Sequence, residues 1–142
     1  MKKSLITTFW ALMGMFIVIL GQFFVPVFQD LFRGSLFFLS PILIFSLLGG
    51  LLVFLTRKEE TEGKLQKLLI LTGASAAGFF VFVVLHNVFY ALGVITSDII
   101  ILRYLTEILH VVFFLMAIFA CPLGFLIGAI GSIVILVKRK RL

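Results

Sequence analysis

Charge is what this sequence has least of. Asp, Glu, Lys and Arg make up 13% of its 142 residues, and hydrophobic residues make up 63%. A soluble domain is about a quarter charged, and so few charges cannot cover the apolar surface that a small soluble fold exposes. Cysteine occurs once, at Cys121, which excludes an intramolecular disulfide and a thiol pair for redox relay. Proline occurs three times, and no Pro- or Ser-rich linker divides the chain. The acidic residues number six, and none falls inside a long apolar run. Paired carboxylates for acid–base work are therefore missing, as are a Ser/His/Asp order and a Gly-rich phosphate loop.

What the chain has in place of charge is four long apolar runs, over residues 5–28, 36–55, 68–95 and 108–137. About 20 such residues, as a helix, cross the ~30 Å hydrocarbon core of a bilayer. The expected fold is all-α: one domain over residues 1–142, a polytopic membrane protein built as a four-helix transmembrane bundle, with sequence neighbours mostly antiparallel because the connections are short. The start, Met1-Lys2-Lys3 before an apolar stretch, looks like a secretory signal. The run is too long for one and no small-residue cleavage site follows it, so it reads as a retained first helix. Pro41 sits in the first turns of the second run, and Pro122 predicts a bend in the fourth. The apolar stretch Ile99-Ile100-Ile101-Leu102 predicts a loop or short helix lying against the membrane.

The formal net charge is +6, and its placement matters more than its size. Lys2, Lys3, Arg57, Lys58, Lys64, Lys67 and the tail Lys138-Arg139-Lys140-Arg141 all fall on one side of the implied arrangement, leaving Arg33 and Arg103 on the other. The positive-inside rule then predicts a multi-pass protein of the plasma (inner) membrane with both termini cytoplasmic. Positive residues flanking apolar runs suit an anionic lipid leaflet. A nucleic-acid partner is not expected, because there is no basic stripe on a water-soluble element.

Helices in lipid gain little by burying apolar side chains against one another, so close backbone approach carries the information about packing. Gly124, Gly128 and Ser132 recur every four residues in the last run, with a literal GxxxG between the first two. Gly73 and Ala77 share the same spacing in the third run, Ser46 and Gly50 in the second, and Gly14 and Gly21 lie seven apart in the first. These predict helix-packing surfaces, within the chain or between two copies of it.

Intramembrane charge is the usual pointer to chemistry in a membrane protein, and no charge stands at mid-depth here. One polar cluster is predicted at the non-basic end: His86, Asn87 and Tyr90 close the third run, and Glu107 and His110, one helical turn apart, open the fourth. Its bland reading is a set of hydrogen bonds between helices. Its sharper reading is a metal site on His86, Glu107 and His110, or haem held by the two histidines. A lone Glu-x-x-His match is weak, so no cofactor is expected.

The function expected from this pattern is that of a small integral membrane protein without catalytic activity, serving as a helix-packing, accessory or self-associating subunit. Its partners would be the lipid bilayer and either further copies or a larger membrane protein. The alternative is a small oligomeric transporter or channel, its path lined by Gln22, Thr72, Ser75 and Asn87. A metal- or haem-binding protein using the His/Glu cluster is the third reading.

Overall fold

A computed structural model describes residues 3–32, 39–59 and 63–141. Among these residues there is no strand. The helices are α1 (Lys3–Phe24), α2 (Pro26–Phe32), α3 (Ser40–Lys58), α4 (Gly63–Ile95), α5 (Ile100–Leu115) and α6 (Cys121–Arg141), with a π-helical turn at Met116–Ala120 joining the last two into one rod. Four helical stretches are long and apolar enough to cross a membrane: Lys3–Phe24, Ser40–Lys58, Gly63–Ile95 and Ile100–Lys138. The all-α four-helix bundle expected from the sequence is the fold observed.

The ends of the helices differ from the expected ones, each for a local reason. The first run breaks at Val25, because Pro26 disfavours the helical region for the residue before it and offers no N–H. The Gln29 side-chain amide donates to the Phe23 carbonyl beside this break. The second helix begins at Ser40 rather than residue 36, with Pro41 in its first turn; residues 36–38 lie outside those described. The third begins at Gly63, whose φ of 71° is the left-handed conformation that glycine adopts without strain. The segment Val94–Glu107, expected as a loop, is helix from Ile100 onward, and only residues 96–99 turn the chain. The Ile99 N–H donates to the Thr96 carbonyl there.

Central in the bundle, α4 has α3 packed along one side and α5–α6 along the other. The α3–α4 contact is backbone on backbone. A Cβ placed on Gly49 would stand 2.6 Å from the Gly73 carbonyl oxygen, and one on Gly73 would stand 2.6 Å from that of Gly49. Such approach brings more atoms into dispersion contact than side chains would allow, which is what holds helices together when the solvent is hydrocarbon. Ser46 Oγ donates to the Ala77 carbonyl at 3.0 Å beside this crossing.

The α4–α6 contact uses the second glycine row. A Cβ on Gly128 would stand 2.5 Å from Thr72 Oγ1 and 2.8 Å from the Leu68 carbonyl oxygen, and one on Gly124 would stand 2.4 Å from Ser75 Oγ. The GxxxG face is therefore filled from within the chain, and a second copy has no access to it. Gly14, Gly21 and Gly50 meet nothing within 4 Å, so these three expected packing residues take no part in the bundle.

α1 packs mainly on α3. Its tie to α6 is aromatic: Phe16 lies 4.6 Å from Phe125 and 6.2 Å from Phe45, and Phe45 lies 5.1 Å from Phe125, ring centre to ring centre. These separations fit tilted and edge-on contacts. The core continues from there toward the basic end through Leu5, Phe9, Leu12, Leu52, Leu65 and Leu69. At that end Ser4 Oγ donates to a Glu59 carboxylate oxygen at 2.9 Å, linking α1 to α3.

Candidate functional site

The expected polar cluster forms where α4 and α5 run antiparallel, at the end opposite Arg57, Lys58, Lys64, Lys67 and Lys138. Gly93 sets the distance between the two helices. A Cβ there would come within 3.1 Å of Thr106 Oγ1, and Thr106 is the one buried residue of α5. Its hydroxyl donates to the Leu102 carbonyl and so needs no partner across the groove. Beside this contact a groove of about 180 Å³ is walled by Tyr90 and Val94 on α4 and by Arg103, Glu107 and His110 on α5.

The structure thus brings Tyr90, Glu107 and His110 together. The rings of Tyr90 and His110 meet edge-on, 5.8 Å apart. His86 lies below, outside the groove lining, and its Nδ1–H donates to the His110 backbone carbonyl at 2.9 Å. The two imidazole centres are 5.5 Å apart, and the Phe114 ring closes the other approach to His86 at 5.2 Å. Asn87 does not join them. It sits about 100° round the helix from His86, is exposed, and donates its side-chain amide to the Val83 carbonyl. Arg103 belongs to the groove although the sequence gave no reason to group it with the histidines. The i,i+4 spacing of Arg103 and Glu107 was the available signal.

This geometry bears on the metal and haem readings. Among the described residues no three of His, Cys, Asp and Glu come within reach of one ion. His86 has committed its Nδ1 to a carbonyl, and Glu107 opens to the groove on the far side of His110. Haem iron held by two histidines needs them on opposite faces of a flat macrocycle. Here the imidazoles lean on each other at 45°, with no slot between them. The arrangement is a hydrogen-bonded clasp between two helices. Replacing His86 by Ala should lower stability in detergent by about 1–2 kcal/mol, since it removes the donor. His110→Ala should cost less, because the acceptor is backbone and survives. Unfolding followed by circular dichroism measures both, and equal losses would contradict the clasp.

The intramembrane polar residues expected to line a path do not line up. Thr72 donates to the Leu68 carbonyl of its own helix and faces Gly128. Ser75 lies against Gly124, Gln22 is buried on α1, and Asn87 faces outward. Ser132, fully buried, has no hydrogen-bond partner for its hydroxyl oxygen among the described residues. Cys121 is buried and free.

Set against models of protein families, curated proteins and solved structures, the chain matches none of them.

Proposed function

We propose that this chain is a small, non-catalytic integral membrane protein of the plasma (inner) membrane that associates with a second copy of itself through the α4–α5 hairpin. The observation that carries this reading is how little of the hairpin is covered. The buried residues of α4 end at Ala76, yet the helix runs on to Ile95. Ser46 meets Ala77, so by antiparallel register the start of α3 at Ser40 is level with Val83. α4 then continues past α3 for about 18 Å at ~1.5 Å per residue, accompanied chiefly by α5.

That extension is apolar and exposed. Ile95 is 77% exposed, Ile101 79% and Tyr104 64%. α4 has 33 residues, about 50 Å of helix against a hydrocarbon core of ~30 Å. If Lys67 marks one boundary, the far part of the hairpin stands outside the hydrocarbon, and so large an apolar patch in water marks an interaction surface. The patch also bears both signs of charge, Asp98 and Glu107 with Arg103. Two copies related by a two-fold axis can then set each Arg103 against an acid of the other.

Several features support a role without chemistry. The His/Glu cluster is a clasp, the interior hydroxyls are bonded within their own helices, and the polar residues form no continuous lining for transport. Orientation rests on the described cations Lys3, Arg57, Lys58, Lys64, Lys67 and Lys138 gathering at one end, which the positive-inside rule assigns to the cytoplasm. A reporter active only in the cytoplasm should work when fused at either terminus and fail when inserted after Ser97. Activity at Ser97 would reverse the topology. Self-association is tested directly by light scattering of the purified chain in detergent. A dimer is expected, and a strict monomer at every protein concentration would remove this function.

A further inference from the structure

α1 and α6 part company above their aromatic tie. Between them lies a cleft of about 340 Å³, floored by Phe45 of α3 and Phe79 of α4 and walled by Phe16 and Phe23 of α1 and Phe125 of α6. It exists because α1 is held by large side chains on α3 and not by glycine contacts to α6; Gly14 and Gly21 meet nothing. The opposite wall is irregular for a separate reason. The π-helical turn Met116–Ala120 ends immediately before Cys121 and Pro122, and both of those residues line the cleft. Single π turns of this kind recur at functional sites. Leu20, Phe23 and Leu126 stand exposed at the rim, so the cleft opens sideways, where the membrane reading places lipid.

We infer that this cleft is a binding site for one acyl chain of a bilayer phospholipid. Its size lies at the lower end of the ~300–1,000 Å³ typical of ligand pockets. A helix of a second copy, about 10–12 Å across with its side chains, does not fit. Water is excluded as the resident, because a buried water needs two to four polar partners, and the lining offers only the Ser75 hydroxyl and the Cys121 thiol. With Lys67 at one boundary, Ser75 and Phe79 lie about 12–18 Å into the membrane by helical rise, near mid-depth. A chain entering from the non-basic side past Phe23 would run down α1 to Phe16. The site is separate from the hairpin and depends only on the chain being in a membrane, so loss of dimerisation leaves it standing.

The full chain, washed free of lipid in mild detergent, is offered phosphatidylcholine or a polyprenyl alcohol and weighed by native mass spectrometry. The parent should take up one phosphatidylcholine per chain. A Leu20→Phe, Leu126→Phe double variant, which fills the rim, should take up roughly tenfold less, since keeping two methylenes out of an apolar site changes affinity by about that factor. Leu47→Phe, on an exposed part of α3, should match the parent. No uptake by the parent, equal uptake by the double variant, or uptake of the polyprenyl alcohol alone overturns the assignment. Should the double variant fail to fold, a Trp10→Phe, Phe79→Trp variant carries its only tryptophan in the cleft. Phosphatidylcholine brominated on one chain should quench it at stoichiometric lipid, and undiminished fluorescence overturns the site equally.

Discussion

Gly73→Leu and Gly128→Leu should each abolish the native bundle, while Gly14→Leu and Gly50→Leu should leave it intact. All four glycines lie in membrane-length apolar helices, and composition does not separate them. The space around them does. A side chain on Gly73 would have to pass the Gly49 carbonyl at 2.6 Å, and one on Gly128 would meet the Thr72 backbone nitrogen at 2.7 Å and the Leu68 carbonyl at 2.8 Å. Backbone cannot rotate aside as a side chain can, so the helices must separate. Overpacking a rigid site costs up to about 3 kcal/mol and occasionally more, and here the lost α3–α4 or α4–α6 dispersion contacts add to it. Since natural domains are stable by only ~5–15 kcal/mol, either change should drive the chain into aggregates during extraction. Gly14 and Gly50 have nothing within 4 Å and face outward, where Leu is as compatible with lipid as any residue. Monodispersity on gel filtration in detergent, with helix content by circular dichroism, separates the two pairs. A Gly128→Leu protein that stays folded but changes only its oligomeric state would return this face to an interface between copies.

The same glycines show how far the sequence could be read. Four membrane-length helices were legible because each apolar run is uninterrupted, and run length converts directly to helix length. Which face of each helix packs was not. In α3 the sequence singled out Ser46 and Gly50, whereas the contact is made by Ser46 and Gly49. Neighbouring residues differ by about 100° around a helix, so with two glycines side by side the spacing alone does not select one. Asn87 left the candidate cluster for the same reason, one position from His86. The extent of α5 was also hidden. Arg103 and Glu107 interrupt the apolar run and suggest a loop, but one turn of spacing places them on a single face of a helix that begins at Ile100. What was legible of the site is the pairing of the two histidine-bearing ends, which follows from a short α4–α5 connection. The bond from His86 to a backbone carbonyl carries no side-chain signature and was not.

Charge reversal at the hairpin should have the second large effect. Arg103→Glu leaves each copy with acids alone on a patch that already holds Asp98 and Glu107. A two-fold contact then faces like charges at every polar position and should shift from dimer to monomer, with dissociation constants rising roughly 100-fold or more, since like-charge juxtaposition across an interface costs several kcal/mol. Arg103 is exposed and lies outside the packed core, so the unfolding midpoint of the monomer should not move. The compensating variant, Arg103→Glu with Glu107→Arg, restores both signs and should recover the dimer. High salt should weaken the parent dimer only modestly, because most of the contact is apolar: Ile95, Ile100, Ile101 and Tyr104 have no other cover among the described residues. Ile101→Asp therefore provides an independent arm. It places a charge at a position 79% exposed in one copy, where it costs the isolated chain little, yet in the paired state it would be buried. Sedimentation in detergent at several protein concentrations reads all of these. A parent monomer, or an Arg103→Glu protein that dimerises like the parent while Ile101→Asp also does, would move the function away from this hairpin. The apolar extension would then have to be explained as helix lying in the headgroup layer, the arrangement that Ile99-Ile100-Ile101-Leu102 first implied from sequence.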